Sequence, residues 1–145
     1  MSTHWISTNP EAVVHPIELV PGSYNRDAVR EASIYLPEEQ FAHFEALLVL
    51  HDPLSSFSRY AFTEVPLAIW APVIEDMHAW VTQIDDNARL DQITPSPGFI
   101  SAHSRQRFLE RETENLRAFR ETSDQLATWL KDAAHKHGVV SVLGM

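Results

Sequence analysis

Apolar and polar positions along the chain fall into stretches of two different periods. Phe41, Phe44, Leu47, Leu48 and His51 recur at three and four residues behind Pro37-Glu38-Glu39, and Asp52-Pro53 stops the run. Residues so spaced share one face of a helix, and a proline with acids in the first turn marks a helix start. A helix is therefore predicted over 38–51. Val73, Ile74, Met77, Trp80, Val81 and Ile84 form a second stripe. Pro72 admits two readings here, a kink in a helix running from about Val65 or the first turn of a new helix. Glu75 and Asp76 just after it favour the second, which predicts a helix over 72–86. Leu109, Leu116, Phe119, Leu126, Leu130 and Ala133 recur at three, four or seven residues and predict a third helix over about 102–137. Unbroken, it would run about 55 Å, which is long for a chain of 145 residues. A bend or break is expected near Thr122-Ser123.

Strand signals are shorter. "HPIELVPG" alternates Ile17 and Leu19 and ends in a turn, and "SSFSRYAFT", Ser55 to Thr63, is aromatic and alternating. The segment 25–33 reads as a short helix while the adjoining "SIYL" is strand-like, and the pattern does not choose between them. Residues 88–100 read as a loop with two prolines, and 1–24 as a less regular segment. The chain closes on "HKHGVVSVLGM". Cationic residues in a last helical turn, then glycine, then a β-branched run predict a helix stop at Gly138 and a buried strand over 139–143. Together these elements predict one α+β, helix-dominated domain spanning 1–145. It has three to four helices and a few short strands, the C-terminal one included.

Composition sharpens this picture in two places. Cysteine is absent, so disulfide and thiol chemistry are excluded and a reducing cytoplasm is the expected compartment. No stretch is long and apolar enough to span a bilayer, and the N-terminus lacks the basic head and apolar run of a secretory signal. The net charge of −9 is uneven: residues 1–100 hold 14 acids against four arginines, while residues 101–145 hold six acids against seven basic residues. An acidic body repels nucleic-acid phosphates and attracts a basic partner from a distance. Arg105, Arg107, Arg111, Arg117 and Arg120 alternate with Glu110, Glu112, Glu114 and Glu121, so they read as a solvated mixed-charge face.

Candidate chemistry is sparse. Glu75-x-x-His78 faces one way on a helix and is half of a carboxylate-bridged di-iron site, but no second Glu-x-x-His is present to complete it. Glu39 and His43, four apart, are a looser pair. His135 and His137 are two apart on a helix and diverge. Glu39, His43, Glu75 and His78 are thus weak metal candidates, and no bound metal or cofactor is expected. Nucleophile-elbow, phosphate-loop, dinucleotide, zinc-protease and calcium-loop motifs are missing. Trp70, Trp80 and Trp129 lie in apolar patterns and read as core, whereas Trp5 stands in a polar stretch and is expected to be exposed or to clip onto the body.

A small, acidic, cysteine-free, aromatic domain is similar in general character to the toxin-neutralising immunity proteins of bacteria. That likeness implies a protein-binding module that inhibits a basic toxin by direct contact. Glu38, Glu39, Glu45, Asp85, Asp86 and Asp91 are the expected contact acids, since they cluster at helix ends or in the loop after Ile84. Charge reversal at Asp85 and Asp86 is expected to slow association more than reversal at Glu112 and Glu114, which sit among compensating arginines. Two alternatives belong to other classes: a helical-bundle metal-dependent enzyme using the Glu/His pairs, and a structural domain that self-associates as a homodimer through its C-terminal strand.

Overall fold

The computed structural model describes residues 4–23, 32–53 and 62–144. Within these, strand β1 (Pro16–Pro21) and strand β2 (Ile34–Pro37) precede helix α1 (Glu38–His51). Strand β3 (Phe62–Pro66) leads directly into helix α2 (Leu67–Gln83). After a single-turn 3₁₀ segment at Leu90–Gln92 come helices α3 (Ala102–Glu110) and α4 (Glu112–His137), then strand β4 (Val139–Gly144). Four antiparallel strands form one sheet in the order β2-β1-β4-β3. The architecture is α+β and helix-dominated, as the sequence patterns predict. Among the described residues no helix is long and apolar enough to cross a membrane.

One hydrophobic core joins the sheet to the helices. Ile17, Leu19, Ile34, Leu36, Val65, Val140 and Val142 share one sheet face and pack with Phe41, Phe44 and Leu47 of α1, Trp70, Val73, Met77 and Trp80 of α2, and Phe119, Leu126 and Leu130 of α4. The other face of β1 is buried as well: Glu18 is fully buried and accepts a hydrogen bond from the Tyr35 hydroxyl at 3.3 Å. The C-terminal strand is central. β4 pairs β1 on one side and β3 on the other, from Ile17↔Gly144 to Pro66↔Val139. Gly138 makes this possible. It caps α4 with φ 74°, its N–H donates to Ala134 O at 2.7 Å, and its own carbonyl accepts from Leu67 N at 2.9 Å. A Cβ added there meets no atom within 4 Å, so Gly138→Ala isolates left-handed backbone strain. It is expected to cost about 1 kcal/mol in urea unfolding. An unchanged midpoint would show that the turn relaxes freely.

Two helix expectations need correction. Pro72 does not open a helix; it lies inside α2, which begins at Leu67 and ends at Gln83 rather than 86. An interior proline costs about 3 kcal/mol. The first turn and a half nevertheless stays helical because it buries Trp70, whose Nε1–H donates to Val140 O at 3.3 Å. At the other end Ile84 turns extended and buried, and the Asp85 carboxylate accepts from Asn87 N at 2.9 Å, closing a turn. The break in the third helical stretch falls at Arg111, not at Thr122-Ser123. Asn115 Nδ2 donates to Phe108 O at 2.9 Å, supplying a partner to a carbonyl at the end of α3. Glu112 accepts from Leu90 N at 3.0 Å and pairs with Arg89. Thr122 and Ser123 are fully buried in mid-α4, and Thr122 Oγ1 accepts from Trp5 N at 3.0 Å. That contact seats the N-terminal segment, which is the second of the two expectations for Trp5.

Strand expectations at 17–19 and 139–143 match β1 and β4, and Ile34, Tyr35 and Leu36 of "SIYL" prove to be strand, within β2. Of the predicted strand 55–63, the described part lies in β3; residues 55–61 and the segment 24–31 lie outside the described residues.

Candidate functional site

The loop after Leu90 is a strap laid across α2 and α1. Gln83 brackets Thr94 with two hydrogen bonds, Nε2 to Thr94 O at 2.7 Å and Thr94 N to Oε1 at 2.9 Å. Trp80 Nε1–H donates to Pro95 O at 2.7 Å. Gly98 then meets α1: its N–H donates to His43 O at 3.2 Å, and its carbonyl lies 2.6 Å from His43 Nδ1. The backbone approach is so close that a Cβ at Gly98 would stand 2.4 Å from Ala42 O.

His43 is the residue this arrangement encloses. Only 2% of it is exposed. The rings of Phe99, Phe108, Trp5 and Phe119 lie 4.8, 5.4, 5.6 and 5.6 Å from its centroid. A carbonyl can only accept, so Nδ1 carries the proton and Nε2 holds a lone pair. Burial among these rings pushes the imidazole down to about 4, against the opposing pull of the Gly98 carbonyl and of Glu39 one turn earlier. His43 is therefore neutral at pH 7.

An unfolded histidine gains its proton near pH 6.5 while His43 in the fold resists until about 4. The stability it contributes is complete above pH 6.5 and is lost as pH falls through that window. The wild type is expected to lose about 2–3 kcal/mol more than His43→Asn between pH 7 and pH 4.5. Urea midpoints across that range check it; parallel losses would place the acid sensitivity elsewhere.

Beside His43 opens a cavity of about 210 Å³ lined by Trp5, Glu39, Gln40, His43, Ser104, Arg107, Phe108 and Asn115. Glu39 is held on its far side: one carboxylate oxygen accepts from Ser104 Oγ at 2.8 Å and from Arg107 Nη2 at 2.7 Å. The same three residues wall a neighbouring cleft of about 220 Å³ with Val14, His15, Glu38 and Ile100.

The weak metal candidates do not converge. Glu39 and His43 do face the same cavity, but Glu75 and His78 are exposed on α2. Among the described residues no group of three or more His, Asp or Glu side chains could hold a metal ion. His135 and His137 are exposed in the last turn of α4, where the helix stops. The expected contact acids divide between two regions. Glu38, Glu39 and Glu45 are half-buried on α1, whereas Asp85, Asp86 and Asp91 are exposed in the connection after α2, Asp86 lying 3.8 Å from Arg117. The enclosure of His43 is not legible in the sequence. The α1 stripe runs through Phe44, Leu47 and Leu48, and His43 lies about 100° off Phe44 on the helix wheel. Burial there depends on the strap, on α3 and on Trp5.

Comparison with protein-family models, with curated proteins and with solved structures finds no significant match.

Proposed function

We propose that the chain is a protein-binding module that holds a basic protein partner by direct contact, as an immunity-type inhibitor holds its toxin. The observation that carries this reading is the coincidence of exposed apolar side chains and carboxylates along α1. Among the described residues four large hydrophobics stand exposed: Val14, Val49, Leu50 and Ile100. Val14 and Ile100 line the cleft that also holds Glu38 and Glu39. Val49 lines a second cleft, of about 290 Å³, with Glu45 and Phe99. The segment 98–101 walls both. Apolar anchors at the centre and carboxylates at the rim are the usual division of labour in an interface, the first governing dissociation and the second association.

The partner expected is a protein with a basic, partly apolar patch. The acidic balance disfavours nucleic acid, and the absence of cysteine supports a cytoplasmic encounter. On this reading Glu38 and Glu45, which line the clefts that hold Val14, Ile100 and Val49, matter more than Asp85, Asp86 and Asp91, which line neither. A partner captured from the native host and measured by surface plasmon resonance provides the test. Joint reversal of Glu38 and Glu45 to lysine is expected to slow association roughly tenfold at low salt. That effect should fade near physiological ionic strength, where charges are screened beyond about 8 Å. Reversal at Asp85 and Asp86 should have a smaller effect, and at Glu112 and Glu114 the least. Equal effects from all three pairs would remove the basis for this face. A symmetric dimer with no other partner would favour self-association.

A further inference from the structure

The cavity beside His43 shares Glu39, Ser104 and Arg107 with the cleft of the protein-binding face, but its remaining walls, Trp5, Gln40, His43, Phe108 and Asn115, are its own and have the composition of a ligand site. Its polar groups are already arranged. Nδ1 of His43 is spent on Gly98, which fixes the tautomer and the ring orientation. Among the described residues Nε2 has no hydrogen-bond partner. With Nδ1 turned to the Gly98 carbonyl, which does not line the cavity, Nε2 is the ring nitrogen left for the cavity that His43 does line. A nearly buried acceptor aimed into a cavity is costly to leave unpaired and gains most from a donor delivered to it.

The charge of the site selects among donors. Glu39 and Arg107 are joined at 2.7 Å, so the charged groups on the lining cancel. Neutral His43 adds nothing to either sign. A free cation meets Arg107 and a free anion meets Glu39, so neither is favoured. Two walls are aromatic, Trp5 and Phe108, and Phe99 stands 5.4 Å behind Phe108. Aromatic walls accept a flat apolar body. Gln40 and Asn115 supply further amide groups at the rim.

We infer that this cavity binds a small, planar, uncharged molecule carrying one hydroxyl or ring N–H, which donates to His43 Nε2 while its ring lies between Trp5 and Phe108. The occupant differs from the protein partner proposed above, and the two readings stand or fall separately.

Phenol and anisole form the probe pair, since they share a ring and differ in the donor. The full chain, labelled with ¹⁵N at histidine, is titrated with each while the imidazole nitrogens are followed by NMR. Phenol is expected to shift His43 Nε2 saturably, with a dissociation constant on the order of millimolar, as suits so small a ligand. Anisole is expected to bind at least about fivefold more weakly, the worth of one hydrogen bond. His43→Phe keeps the ring volume and should abolish the preference between the two. The wild-type comparison decides the matter even if that variant does not fold. Equal shifts from phenol and anisole would overturn the donor role of the ligand. No shift at Nε2 with either, or shifts confined to other histidines, would overturn the site.

Discussion

Trp80→Ala is expected to cost the fold about 3–5 kcal/mol. Trp80 is fully buried at the crossing of three parts of the molecule. Its ring lies 4.9 Å from Phe119 of α4 and 5.9 Å from Phe44 of α1. Its indole N–H holds the strap at Pro95 O. Truncation removes the apolar contacts, leaves a cavity among rigid rings that cannot close it, and orphans a carbonyl. Trp80→Phe restores most of the volume but not the donor, and should lose about 1–2 kcal/mol. Urea unfolding followed by far-ultraviolet circular dichroism measures both, since tryptophan fluorescence changes with the variant itself. A loss below about 1 kcal/mol for the alanine variant would mean that the strap and helices do not meet at this residue.

Gly98→Ala is expected to cost about 2–3 kcal/mol, although it adds a single methyl to a loop. The reason is what that methyl meets. Its nearest neighbour is the backbone carbonyl of Ala42, 2.4 Å away, with Ala46 Cβ at 3.0 Å. Neither can rotate aside, so the strap must lift from α1. Lifting stretches both bonds between Gly98 and His43 and opens the ring cluster to water. The second readout is therefore His43 itself. With its desolvation relieved, the acid-linked loss of stability described above should shrink in the variant. A destabilised protein that keeps the full wild-type acid dependence would separate the strap from the state of His43. Ala42→Gly in the same background relieves nothing, because the clash is with a carbonyl, whereas Ala46→Gly removes one of the two obstructing atoms and should recover a small part of the loss.

Helix α1, the stop at Gly138 and the strand after it could be read from local order. Phe41, Phe44, Leu47 and Leu48 mark one face because backbone geometry puts them there, whatever lies opposite. Gly138 ends α4 because a left-handed residue is needed at that position and glycine adopts it at least cost. The acidic balance and the missing catalytic motifs likewise belong to the chain itself. Other features depend on contacts between parts distant in sequence. Pro72 stays inside α2 because Trp70, two residues before it, is buried against β4, seventy positions away. Thr122 and Ser123 do not break α4, since core contacts and Trp5 hold them in place, while Arg111 does break it, where Asn115 and Glu112 satisfy the ends. β4 lies in the middle of the sheet rather than at an edge because β1 and β3 both offer it a ladder, which no strand pattern encodes. His43 is the sharpest case. Its neighbours on α1 mark it as a flank residue; its burial, its tautomer and its cavity come from Gly98, Phe108, Phe119 and Trp5, which meet only when the chain is folded.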